Sequence, residues 1–142
     1  MILSVRAKSL ANLAKKSVIS QIVQSTFDGM KTIEKRMESW VAQKRFCESG
    51  VSIVDLSEAL GVTCPRIKSY FKDVVCMDFK TWRNLLRIEE AKCLLLDEPD
   101  ISAQMIGEAV GFRDRSNFHN MFVREVGCSP REWRDSGGNP SR

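Results

Sequence analysis

The sequence predicts an all-α protein in which one small two-helix unit is built twice and the copies are joined by a long linker helix. Two observations point there. Apolar residues recur at spacings of three and four along the chain, whereas the strict alternation of a half-buried strand is absent. Residues 52–83 also match residues 102–134 at a series of spaced positions that include two tryptophans, the mark of an internal repeat.

In chain order, Ile33, Met37, Trp40 and Val41 form one apolar stripe in a segment bounded by Gly29 and Gly50. Upstream, Ile19, Ile22, Val23, Thr26 and Met30 extend that stripe, so residues 1–29 read as a basic helical lead-in or a weak coiled-coil seam. The alternative is a ragged basic end of a longer protein. Ser52 is placed to cap a helix over Ile53 to Leu60, which Gly61 ends. Thr63 is placed to cap the next, with Pro65 in the first turn where a missing N–H is harmless. Asp78 opens a longer helix through Phe79, Trp82, Leu85, Ile88, Ala91 and Leu95, stopped by Asp97-Glu98-Pro99. Residues 136–142, Ser-Gly-Gly-Asn-Pro-Ser-Arg, read as a disordered tail.

The repeat fixes the unit. An offset of 50 pairs Ser52 with Ser102, Leu56 with Ile106, Ala59 with Ala109 and Gly61 with Gly111. Beyond the turn the second copy is one residue longer. An offset of 51 then pairs Ile67 with Phe118, Phe71 with Phe122, Val75 with Val126, Trp82 with Trp133 and Arg83 with Arg134. Each copy is a short helix, a glycine-containing turn and a second short helix, which is a helix-turn-helix.

Composition removes other classes. At 142 residues with 43% apolar content, the chain is one ordinary domain or two small ones. Its net charge of +4 comes from residues 1–27, where Arg6, Lys8, Lys15 and Lys16 meet no acid, so the remainder is balanced. No apolar run approaches a membrane span, and no secretory block opens the chain. Cys47, Cys64, Cys76, Cys93 and Cys128 are odd in number and contain no C-x-x-C, which argues against a disulfide frame or zinc site. Most of them read as small hydrophobes in or near the core, in a reducing cytoplasm. His119 is the only histidine, and neither a G-x-S-x-G nor a phosphate-cradling glycine loop is present. The expectation is no enzyme, no cofactor and no metal.

The chemistry lies on the second helix of each unit. On a helical wheel Ile67, Tyr70, Phe71 and Val74 share an inward face, opposite Pro65, Lys68, Ser69 and Lys72. Residues 63–72 hold Arg66, Lys68 and Lys72 and no acid. In the second copy Phe118, Met121 and Phe122 face inward and Ser116, His119 and Asn120 outward, with Arg113 and Arg115 at the entry. Short polar and basic side chains of this kind bond base edges and phosphates. A merely solvated face mixes its signs. Here the acids are set apart on Asp55, Glu58, Glu89, Glu90, Asp97, Glu98 and Asp100, with Asp114 the exception. A linker helix over residues 79–96 would be about 27 Å long at 1.5 Å per residue. That nearly matches successive major grooves, about 34 Å apart.

The run Arg87-Ile88-Glu89-Glu90-Ala91-Lys92-Cys93-Leu94-Leu95, then Val110-Gly111-Phe112-Arg113-Asp114-Arg115-Ser116-Asn117-Phe118, then Phe122, Gly127, Ser129-Pro130 and Trp133-Arg134, resembles the C-terminal signature of the AraC/XylS family of bacterial transcription regulators. The resemblance implies a homeodomain-like double helix-turn-helix over residues 30–135. It also implies sequence-specific binding of double-stranded DNA, recruitment of RNA polymerase, and a sensing or dimerisation domain absent from this chain. By position it implies base readers Cys64, Pro65, Lys68 and Ser69 in the first copy and Arg115, Ser116, His119 and Asn120 in the second. Arg66, Lys72, Arg113 and Asn117 fall at phosphate-contacting positions. Ala103, Gly107, Ser69 and Cys76 depart from the family pattern. Gly107 costs about 1 kcal/mol of helix propensity against the usual alanine, so the second unit is expected to be the less rigid. Ser69 stands where a longer side chain is frequent, which passes the work to Lys68.

Four rival readings concern the same residues. The same faces could dock a protein such as RNA polymerase, with DNA incidental. His119 could be a titrating switch and Cys64, at a helix start where the dipole favours a thiolate, an oxidant sensor. A DNA-repair methyltransferase would need an activated cysteine that this spacing does not provide.

Overall fold

The computed structural model describes residues 2–140, with side chains from Val18 onward. The lead-in charges Arg6, Lys8, Lys15 and Lys16, together with Met1 and the tail residues Ser141 and Arg142, lie outside the described side chains. The fold is all-α: every element among the described residues is helical. The chain forms two units, one up to Met37 and one from Glu38.

The first unit lies within a single helix, α1, which runs from Ile2 to Ala42. Gly29 therefore does not bound a helix as expected. It keeps negative φ, and one glycine inside a long helix weakens it without ending it. Val18, Ile19, Ile22, Val23 and Phe27 are exposed, whereas Ile33 and Met37 are buried.

In the second unit the chain leaves α1 through Lys44, whose φ is 55°, into a single 3₁₀ turn, Arg45–Cys47. Five further α-helices follow: α2 (Ile53–Leu60), α3 (Cys64–Tyr70), α4 (Phe79–Asp97), α5 (Ala103–Ala109) and α6 (Arg115–Val126), then a short α7 (Pro130–Asp135). Their starts are chemically specified. Ser52 and Ser129 form reciprocal capping boxes with Asp55 and Glu132, and Asp78 accepts the Thr81 N–H at 2.7 Å. Thr63 holds the cap position of α3 without a side-chain hydrogen bond, so Pro65 carries that start. Residues 136–138, expected to be tail, form a turn in which the Gly138 N–H reaches the Trp133 carbonyl at 2.9 Å.

The repeat survives as contacts. Phe71 meets Trp82 edge-on at 5.3 Å and 70°, and its counterpart Phe122 meets Trp133 at 6.5 Å and 71°. Arg83 donates to the Val51 carbonyl at 2.6 Å, and Arg134 donates to the equivalent Ile101 carbonyl, also at 2.6 Å. Each arginine thereby ties the end of its unit to the strand of chain that enters it. A charged donor satisfying a carbonyl is worth about 1.5–3 kcal/mol.

Each copy closes on its own core. Leu56, Leu60, Ile67, Phe71 and Phe79 are buried in the first, with Trp40 stacked on Trp82 at 6.0 Å. Ile88, Ala91 and Leu95 of α4 pack with Ile106, Val110, Phe112, Phe118 and Phe122 in the second. Gly107 is buried there, and a Cβ on it would lie 2.6 Å from Cδ2 of Phe118. The departure from alanine is thus a packing requirement. The first copy has the larger Ser57 where the second has Gly107, and the smaller Ile67 where the second has Phe118.

Arg87 of α4 holds the preceding loop from inside. Its side chain is buried and donates to the Phe46 carbonyl at 2.7 Å and the Glu48 carbonyl at 2.8 Å. Burial pushes its pKa down to about 10, still charged at neutral pH. Gly111 has φ of 107° and sits so close to this guanidinium that a Cβ would come within 2.8 Å of it.

Candidate nucleic-acid interface

Both candidate helices present their expected polar sets to solvent. On α3, Ile67, Tyr70 and the following Phe71 are buried, and Pro65, Arg66, Lys68, Ser69 and Lys72 are exposed. On α6, Phe118 and Phe122 are buried and Met121 is half-buried, while Arg115, Ser116, Asn117, His119 and Asn120 are exposed. Arg113 is exposed just ahead of α6, and Cys64 is half-buried. The structure thus brings the twelve candidates together as two sets, one at α3 and one at α6, joined by the 19-residue α4. That helix is about 28 Å long.

Val74 corrects the wheel of the first copy. The helical spacing puts it on the inward face, and it is instead 48% exposed. After Tyr70 the helix widens into a π turn over Phe71–Val75, closed by a Cys76 N–H to Phe71 carbonyl bond of 2.7 Å. The extra residue in that turn advances the face by one position, so Val75 turns inward, as its partner Val126 does. Cys76 ends the turn with φ of 61°, the left-handed region that glycine favours and that Gly127 occupies in the other copy. Its exposure, with that of Cys93, corrects the expectation of thiols lodged in or near the core; the other three cysteines are half-buried.

Charge on the two faces is available. Among the described residues Arg66, Lys68, Lys72 and Arg115 take part in no ion pair. Asp114, the acid that broke the pattern, caps α6 by accepting the Ser116 N–H at 3.0 Å. A carboxylate there favours the helix dipole. Some candidates are partly committed. Ser69 donates its hydroxyl to Asp73 at 3.1 Å, and Arg113 donates Nε to the Ser49 hydroxyl at 3.1 Å.

His119, though exposed, edges a cleft of about 350 Å³ with Arg115, Gln104, Ser129 and Arg131. Glu132 nearby is held below the usual carboxylate range chiefly by the Ser129 N–H, with His119 adding a smaller pull. Asn117 and Arg113 share a second, polar cleft of about 240 Å³. Sequence reasoning did not foresee that Lys68 and Lys72 would also edge a cavity of about 910 Å³. No local signal marks a cavity assembled between the ends of two helices and a loop.

Two helix-turn-helix units on one linker helix, each with an exposed basic and polar outward face, define a double helix-turn-helix domain of the DNA-binding class. Comparison with known proteins gives the same class. The helix-turn-helix domain family matches residues 56–136. The arabinose operon regulatory protein of Escherichia coli is 29% identical over 87 residues, 61% of this chain and 30% of that protein. The melibiose operon regulatory protein of the same organism is 29% identical over 87 residues, 28% of its length. The chain therefore spans about three-tenths of the length of these curated relatives. A transcriptional regulator with an AraC-type DNA-binding domain from Chromobacterium violaceum superimposes with a TM-score of 0.65 at 24% identity, covering 76% of this chain and 96% of that one. The C-terminal domain of a two-component response regulator from Fusobacterium nucleatum gives 0.61 at 26% identity, covering 71% and 97%.

The chain belongs to the AraC/XylS family, as its C-terminal type of DNA-binding domain. That family is one of transcription-regulator domains and not of enzymes. No described helix is long and apolar enough to cross a membrane.

Proposed function

We propose that this chain binds duplex DNA sequence-specifically in the cytoplasm, with α3 and α6 entering successive major grooves on one side of the duplex. Residues 30–135 are the binding unit. The observation that carries this reading is the pair of equivalent helices whose outward faces hold exposed, unpaired cations and short polar groups, while the nearby acid Asp114 is spent on a cap. At about 28 Å, α4 spaces the two helices for grooves about 34 Å apart once helix width or a modest DNA bend is added.

Lys68, Ser69, Cys64 and Pro65 read bases from α3, and Arg115, Ser116, His119 and Asn120 read them from α6. Arg66, Lys72, Arg113 and Asn117 hold phosphates. Replacing Lys68 or Asn120 by alanine should cost about 1–3 kcal/mol at the cognate site and relax base preference there. Arg66→Ala should instead weaken cognate and random DNA alike and lower the salt slope by about one. Equal losses on both DNAs from Lys68→Ala and Asn120→Ala would defeat the base-reading assignment.

Bound this way, the unit would serve transcription by contacting RNA polymerase, and any sensing or dimerisation domain would act on it from outside these residues. The alternative, a helical module docking a protein with the same two faces, predicts instead that neither face prefers one DNA sequence over another.

A further inference from the structure

The 910 Å³ cavity lies between the C-terminal half of α3 and the first turn of α4. Its volume falls in the range of small-molecule sites, about 300–1,000 Å³. Buried Val51, Phe71 and Phe79 and half-buried Ile53 make the floor, and exposed Met77 stands at one side.

Around this apolar floor stand four cations. Lys68, Lys72 and Lys80 are exposed and form no ion pair among the described residues. Arg83 spends one terminal nitrogen on the Val51 carbonyl and the other on Asn84 Oδ1 at 3.3 Å, and its Nε–H is buried without an acceptor. The single lining acid, Asp78, is occupied: its carboxylate accepts the Thr81 N–H, which holds its pKa below the usual range. A cation would meet four like charges here. A wholly polar anion would leave the floor wet, and a neutral apolar molecule would leave the cations unanswered. The chemistry that satisfies both parts is an apolar body with one anionic head.

We propose that this cavity binds a small amphipathic anion, a carboxylate or sulfonate on an apolar or aromatic body, and that its occupant competes with DNA for Lys68 and Lys72. The competition rests on the DNA-reading function proposed above; occupancy of the cavity does not. The expected consequence is a chain whose grip on DNA is released by a ligand seated in the DNA-binding unit itself.

The test uses the full chain and two fluorescent probes of similar shape, 1-anilinonaphthalene-8-sulfonate and the uncharged N-phenyl-1-naphthylamine. The sulfonate should bind with a fluorescence rise, and the neutral probe about tenfold more weakly, the loss expected for one charge-assisted contact. Lys80→Gln should weaken the sulfonate by a similar factor and Met77→Gln, which wets the apolar side without adding charge, by a smaller one; both positions are exposed and outside the base and phosphate sets, so DNA affinity should stay in place. Saturating sulfonate should weaken DNA binding by the wild-type chain at least about threefold, and by Lys80→Gln much less. Equal binding of the two probes, or unchanged sulfonate binding in both variants, would overturn the site. Sulfonate binding with undisturbed DNA affinity would overturn the competition. Failure to bind any DNA without probe would instead refute the DNA-reading function, with the fluorescence result still deciding the cavity.

Discussion

Replacing Gly107 by alanine sets helix propensity directly against packing. On an open helix the change would stabilise by about 1 kcal/mol. Here the new Cβ would lie 2.6 Å from Cδ2 and 2.8 Å from Cγ of Phe118, where ordinary contact begins near 3.4 Å. The ring must retreat by about 0.8 Å, yet it is buried between Phe112, at 5.3 Å between centroids, and Phe122, at 5.8 Å. Overpacking of this kind costs about 1–3 kcal/mol, which leaves a net loss of about 1 kcal/mol after the propensity gain. For a chain of this size that lowers Tm by about 3–5 °C. In a Phe118→Ile background, which copies the Ile67 of the first unit, the obstacle is gone and Gly107→Ala should stabilise by about 1 kcal/mol. The coupling between the two positions is then about 2 kcal/mol, measurable by urea unfolding of the four chains followed by far-ultraviolet circular dichroism. Additive effects, or a wild-type chain stabilised by Gly107→Ala, would refute the packing argument.

Three other outcomes follow from local geometry. Cys76→Gly should raise stability by about 0.5–1 kcal/mol in the same assay, because a side chain is removed from a left-handed backbone position; a loss of stability would contradict it. Arg87→Lys should cost about 2–4 kcal/mol, since one ammonium on a shorter reach cannot serve the Phe46 and Glu48 carbonyls from the same fork. An unchanged unfolding midpoint would show the clamp to be dispensable. Cys47, pushed up to about 11 by burial and then by Glu90, should be alkylated by iodoacetamide at pH 8 far more slowly than exposed Cys76 and Cys93. Mass spectrometry of the time course checks this, and early modification of Cys47 would refute it.

What the sequence made legible was periodic or repeated. The capped starts at Ser52, Asp78 and Ser102, the paired tryptophans and the outward sets on α3 and α6 all follow from spacing, because a helix converts spacing into a face. Gly29 misled because a glycine ends a helix only where the backbone turns left-handed, and nothing local to Gly29 demands that turn. Val74 misled because a π turn changes the residue count per turn without changing composition. The repeat held the better evidence: it pairs Val75 with Val126, and those are the two that turn inward. Long-range ties were out of reach. That Arg83 and Arg134 bind carbonyls more than thirty residues earlier, and that Gly107 makes room for Phe118, depends on helices meeting in space. The candidate interface was legible for the same reason as the helices, and the cavity beside it was not.

The central claim is that two matched faces read one stretch of DNA. Selection of bound sequences from a random duplex library with this chain, followed by titration of the enriched duplex against a scrambled one at physiological salt, tests it most directly. The account predicts a motif with two half-sites about one helical turn apart, bound at least about a thousandfold more tightly than the scrambled duplex. A folded chain that enriches no sequence, or a single half-site unaffected by Asn120→Ala, would contradict it.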